Sequence, residues 1–116
     1  MKYYCEIVPF ELAKKLKEAR FPQGGIVNYY AVDGIAYPPI FIRKGRIFCA
    51  APMYCEIFDW LIENGYVVEM ERNIIEWCAY LYSIDIEGAV ILFHGPTFHE
   101  AANAAIEKAC ALLKEV

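Results

Sequence analysis

The sequence predicts an α+β domain with a mainly antiparallel sheet and helices packed on one face. Three observations carry this. Helix-period apolar stripes with start and stop signals recur near the beginning, middle and end of the chain. Between the second and third stripes lie three short strand-like segments separated by turn signals, the first two of which alternate apolar and polar residues. An Asp33-Gly34 dipeptide between β-rich residues marks a further hairpin. With 116 residues, the chain fits one domain spanning 1–116.

At the start, "KYYCEI" reads as a short strand or an extended arm. "PFELAKKLKEA" follows, with Pro9 suited to a first helical turn and Leu12, Ala13, Leu16 and Ala19 on one stripe opposite Lys14, Lys15, Lys17 and Glu18. Pro22 is expected to end it. Residues 26–37 form the predicted hairpin, and "FIRKGRIFCA" a shorter extended excursion turning at Lys44-Gly45. "APMYCEIFDWLIENGY" predicts a helix opened by Pro52, with a stripe of Ile57, Phe58, Leu61 and Ile62 and a left-handed cap at Gly65. Val68 and Met70 then alternate with Glu69 and Glu71, and Arg72-Asn73 turns the chain. In the next strand Ile75, Trp77, Ala79 and Leu81 oppose Glu76, Cys78, Tyr80 and Tyr82. "IDIEG" is a turn and "AVILFH" the last strand. Thr97 and Glu100 match a capping box for a final helix. Its apolar stripe runs Phe98, Ala101, Ala102, Ala105, Ile106, Ala109, Leu112 and Leu113; His99, Asn103, Glu107, Cys110 and Lys114 are placed on its solvent side.

Composition narrows the function classes. Lys plus Arg number 11 against 15 Asp plus Glu, a net charge of -4 that disfavours nucleic acid as a partner. The basic clusters Lys14, Lys15, Lys17, Arg20 and Arg43, Lys44, Arg46 read as a solvated helix face and a turn. Uncharged apolar runs fall short of the roughly 20 residues that span a bilayer, and "MKYYCEIVPFE" lacks a signal-peptide core, so a soluble, cytoplasmic protein without membrane contact is expected. Five scattered cysteines with no C-x-x-C pair fit a reducing compartment and no disulfide framework.

The segment "LFHGPTFHE" holds both histidines, His94 and His99. Their spacing fits neither the i, i+4 helical pair nor a metal-binding knuckle, and Gly95-Pro96 with the Thr97 cap explains the corner structurally. Neither a metal nor any other cofactor is assigned from the sequence, and no residue is assigned as catalytic. A Cys–His pair would need folding to bring Cys78 or Cys110 to a histidine, and nothing in the sequence signals this. The expected interface is the second sheet face, with Tyr80, Tyr82, Glu69, Glu71 and Glu76, because a 59% hydrophobic, 16% aromatic chain carries more apolar surface than one small core hides. The expected function is therefore non-enzymatic: self-association or binding of a protein partner. The alternative from another class is a ligand-binding or enzymatic pocket lined by Tyr29, Tyr30, Trp77 and His94. A nucleic-acid-binding accessory role is the third reading.

Three segments, "FELAKKLKEARFPQ", "APMYCEIFDWLIENGY" and "TFHEAANAAIEKACALL", with "IEWCAYLY" between the last two, carry a resemblance in order and spacing. The chain resembles the small uncharacterised proteins of Bacteroidales gut bacteria and their phages, prophages and mobile elements, over most of its length except 26–49. The resemblance implies a cytoplasmic α+β protein of mobile-element origin and brings no catalytic residues. Pro52, Phe58, Asp59 and Trp60 match its "AP…FDW" pattern, in which a hydroxyl residue often follows the proline; here Met53 stands there, leaving that helix start to be capped by backbone or water.

Overall fold

The structure is a computed structural model that describes residues 2–42, 45–85 and 89–115. It bears out the α+β class: among the described residues three α-helices accompany six strands in two antiparallel three-stranded sheets. The chain divides into two compact units, Met1–Ile57 and Phe58–Val116. Among the described residues no helix is long and apolar enough to cross a membrane.

In the first unit, α1 (Phe10–Glu18) buries the predicted stripe of Leu12, Ala13 and Leu16 and lies against β3 (Ile47–Ala50). The sheet order is β2-β1-β3, with β1 (Tyr29–Ala31) central and β2 (Ala36–Tyr37) at one edge. The hairpin at Asp33-Gly34 is present in a longer form than a two-residue turn. Gly34 N–H donates to Ala31 O at 2.9 Å, Ala31 N–H to Ile35 O at 3.1 Å, and only Gly34 of the dipeptide is left-handed, at φ 79°. That combination is a type I turn followed by a glycine bulge. Phe10 packs its ring against Tyr30 at 5.1 Å and Phe48 at 5.6 Å, joining α1 to the sheet.

Two local expectations for this unit are corrected. Lys2–Cys5 is a 3-10 helix rather than a strand, and the extended pairing falls just after it, as a single Ile7 to Met53 bridge with Val8 N–H on Pro52 O. Nor does Pro22 stop α1. Phe21 N–H bonds Leu16 O at 2.9 Å and Arg20 N–H bonds Lys17 O at 3.0 Å, the Schellman arrangement, with Arg20 in the left-handed position at φ 70°. A side chain there strains the backbone by about 1–2 kcal/mol. Replacing exposed Arg20 with Gly is therefore expected to raise stability by about 0.5–1 kcal/mol after the extra chain entropy of glycine is deducted. An increase in the urea midpoint at constant m-value would register it.

The helix α2 (Tyr54–Glu63) passes through the division between the units. Its start carries the reciprocal half of a capping box, the Glu56 carboxylate accepting Met53 N–H at 2.9 Å, so a side chain caps it and not backbone or water alone; Glu56 N–H, which a hydroxyl residue would have bound, bonds Met53 O at 3.1 Å. Tyr54, Ile57, Phe58, Trp60 and Leu61 are buried, whereas Ile62, expected in the stripe, is half exposed. The stripe is rotated toward Tyr54 and Trp60. Gly65 closes the helix at φ 91°, as expected.

In the second unit the order is β4-β5-β6: β4 (Tyr66–Arg72), β5 (Trp77–Ser83) and β6 (Val90–Gly95). The last helix, α3 (Phe98–Lys114), lies against all three strands. Trp77, Ala79 and Leu81 are buried on the helix-facing side, as the alternation predicts, and α3 buries Phe98, Ala101, Ala102, Ala105, Ile106 and Ala109 against that unit's core. Thr97 caps it, its hydroxyl accepting Glu100 N–H at 3.2 Å. Two residues depart from expectation. Cys110, placed on the solvent side by the 3.6-residue period, is buried beside Ile106 and Ala109 of the same face. Ile75 belongs to no strand; it and Ile74 stand 84% and 100% exposed in a four-residue loop. Asn73 builds that loop: its Oδ1 accepts N–H groups of Ile75 and Glu76, and its own N–H donates to Glu76 O at 2.9 Å. Strand pairing resumes only at Arg72 opposite Trp77. The expected turns at Lys44-Gly45 and over residues 84–88 include residues outside the described set.

Candidate functional site

On the side of the second sheet turned away from α3, alternation and register together set three rows. Val67, Tyr82 and Val90 form one, Glu69, Tyr80 and Leu92 the next, and Glu71, Cys78 and His94 the third. The four interface residues predicted on β4 and β5 thus share one face, and β6 adds Val90, Leu92 and His94. Val90 and Leu92 are 55% and 44% exposed.

The acids and tyrosines interact diagonally across β4 and β5. Tyr82 Oη donates to Glu69 Oε1 at 2.6 Å, and Tyr80 stands in the same diagonal relation to Glu71 one step along. Such diagonal neighbours lie within reach of long side chains. The Glu69 bond, with desolvation, raises the Tyr82 phenol above its ordinary range; the Glu71 charge, with desolvation, raises Tyr80. Both hydroxyls therefore remain protonated donors at neutral pH, and their favourable contribution to folding is present below the unfolded tyrosine value and lost only at strongly alkaline pH.

The third row extends into the Asn73 loop. His94 Nδ1 lies 3.0 Å from Glu76 Oε1, and Asn73 Nδ2 donates to Cys78 Sγ at 3.7 Å. The ligating atoms of Glu76, Cys78 and His94 all lie within 4.8 Å of one another. Cys78 is only 6% exposed and forms the floor; His94 is open to solvent and Glu76 half-buried. Burial, then the charges of Glu76 and Glu71, push the Cys78 thiol above its usual range, so without a compensating cation it is a protonated, weakly nucleophilic thiol. Sequence reasoning placed Cys78, Tyr80 and Tyr82 on one strand face but not His94 beside them. β6 is a continuous apolar run up to His94 and carries no alternation of its own, so only the register supplied that pairing.

The residues of the other predicted grouping are divided between the two units. Tyr29 and Tyr30 belong to the first unit's sheet, where Tyr30 Oη donates to Val8 O at 2.5 Å as a buried anchor. Trp77 sits under α3, with its ring edge-on to Phe98 at 5.3 Å, while His94 leaves the opposite face of the same sheet. His99 is in the first turn of α3, against the ring of Phe98, and outside the Glu76, Cys78, His94 group. The basic helix face is partly used internally: Lys14 pairs with Glu11 at 3.0 Å, and Lys17 Nζ donates to Phe48 O at 2.6 Å while lying over the Phe48 ring. Arg43 and Lys44 lie outside the described residues. All five cysteines are unlinked by disulfides.

With this geometry in hand, comparison with known proteins adds no further assignment: no family model, no curated protein and no solved structure matches the chain.

Proposed function

We propose that this protein works by protein–protein association, in the first instance with a second copy of itself, through the open face of the β4-β5-β6 sheet. The observation that carries this reading is the exposure of Val90 and Leu92 at 55% and 44% beside Tyr80 and Tyr82. Aliphatic side chains on a sheet face have no local reason to remain in water, and tyrosines with an apolar body and a satisfied hydroxyl can be covered without stranding a polar group. Glu69 and Glu71 supply the charged rim that an interface of this kind has at its edge.

Light scattering coupled to size-exclusion chromatography tests the reading. A concentration-dependent dimer is expected. Leu92→Glu, which places a charge on the covered face without touching the core under α3, is expected to weaken it at least about tenfold, or about 1.4 kcal/mol. Tyr82→Ala should act in the same direction. A wild-type chain that stays monomeric to about millimolar concentration, where association would be worth less than about 4 kcal/mol, would remove the self-association reading.

A further inference from the structure

We propose that Glu76, Cys78 and His94 form a binding site for one divalent transition-metal ion of the zinc class, leaving one coordination position for solvent. This is independent of the association reading, since it rests on one end of the sheet face and on a loop.

The donor set comes from elements held by different means. Cys78 and His94 are direct register partners on β5 and β6, so strand pairing alone sends both side chains to the same face at the same level. Glu76 is in the loop that precedes β5, and its backbone is held on both sides by Asn73, through Glu76 N–H on Asn73 Oδ1 at 2.8 Å and Asn73 N–H on Glu76 O at 2.9 Å. Among the described residues this is the one group of three histidine, cysteine or acidic side chains whose ligating atoms converge so closely.

The spacing suits a metal. Zinc bonds of about 2.0–2.3 Å to oxygen, nitrogen and sulfur place ligand atoms about 3.3–3.6 Å apart in a tetrahedron. Glu76 Oε1 and His94 Nδ1 are already at 3.0 Å, and the group as a whole lies within 4.8 Å, so closing onto an ion takes side-chain rotation of about 1 Å and no movement of the sheet. The contact between Glu76 Oε1 and His94 Nδ1 already holds these two ligands side by side. The floor is the sulfur and the open side is His94, so an ion can enter from solvent and still be held by a nearly buried donor.

The donor chemistry selects the ion. One sulfur, one imidazole nitrogen and one carboxylate oxygen suit zinc, cobalt or copper, whereas magnesium and calcium require oxygen ligands. A supporting shell is present as well. The Asn73 amide donates to Cys78 Sγ at 3.7 Å, as a group stabilising a thiolate would, and Glu71, Cys78's partner on β4, adds negative charge beside it. A plain surface ion pair between Glu76 and His94 would account for neither the sulfur nor the amide aimed at it.

Titration of the reduced, full-length chain with cobalt(II) is the direct test. The expected result is one equivalent bound with a thiolate-to-cobalt charge-transfer band and the visible absorption of a tetrahedral ion, displaced by zinc and not by magnesium or calcium. Cys78→Ser should abolish the charge-transfer band, whereas Cys49→Ser, Cys55→Ser and Cys110→Ser should retain it. His94→Gln, at an exposed position, and Glu76→Gln, an isosteric change at a half-buried one, should each weaken binding more than about tenfold, the least that loss of even a supporting group costs. Absence of the band in the wild type, its survival in Cys78→Ser, or equal affinity in wild type, His94→Gln and Glu76→Gln would each overturn the site.

Discussion

Phe98→Ala is expected to lower the stability of the protein by about 3–5 kcal/mol, a large part of the roughly 5–15 kcal/mol that a domain has in total. Phe98 is 1% exposed and is the first residue of α3 after the Thr97 cap, so it anchors the end at which the helix meets the sheet. Its ring meets Trp77 edge-on at 5.3 Å and an interplanar angle of 90°. Truncation removes the transfer energy of an aromatic side chain, the favourable edge-to-face contact and the packing partners around the void. The void cannot collapse easily, because Thr97 and Glu100 hold the helix start and the alanines behind it have no side-chain length to fill it. Urea unfolding followed by tryptophan fluorescence checks this, since Trp77 lies beside the lost ring. A loss below about 1 kcal/mol would show that the α3 N-terminus contributes little to the fold.

Gly95→Ala should have the second-largest effect, about 2–3 kcal/mol, from crowding rather than from a cavity. A methyl group at Gly95 would lie 2.8 Å from Glu100 Cβ and 3.0 Å from Ala101 N. Those atoms belong to the first turns of α3, so the helix itself must move rather than a flexible side-chain tip. Gly95 faces α3 because it is the register partner of Trp77, and its missing side chain is what allows the helix to approach. Gly24→Ala is the control. Nothing lies within 4 Å of its added methyl and its φ is not left-handed, so a near-neutral effect is expected in the same unfolding assay. If both substitutions proved equally mild, the close approach of α3 to the end of β6 would be wrong.

Gly95 also shows how far the sequence could be read. The dipeptide Gly95-Pro96 is legible as a corner and Thr97-x-x-Glu100 as a helix start, because both are local patterns whose partners lie within a few residues. The same is true of the α1 stripe and of the alternation in β5, where apolar period alone separates Trp77, Ala79 and Leu81 from Cys78, Tyr80 and Tyr82. Errors arose where a side chain or a backbone angle competes with the simple pattern. Asn73 accepts two backbone N–H groups and so lengthens the loop, which removes Ile74 and Ile75 from the strand. Arg20 takes a left-handed angle usually left to glycine, which ends α1 before Pro22 can.

Of the candidate site, the strand faces were legible and the convergence was not. Period-two alternation assigns Glu69, Glu71, Tyr80 and Tyr82 to one face without reference to any neighbour. It does not say which residue of β6 stands opposite Cys78, since a shift of one residue would turn His94 toward α3. It also does not divide the strands into β2-β1-β3 and β4-β5-β6. What the sequence by itself determined is the α+β class, the Thr97 cap of α3 and the Gly65 end of α2, and the inward and outward side of most positions in α1, β5 and α3, all consequences of local backbone geometry and hydrophobic period. Only the tertiary structure decided the register that sets Cys78 beside His94 and the loop that brings Glu76 to them, because pairing between strands depends on burial of the whole face under α3 and on no signal carried by either strand alone.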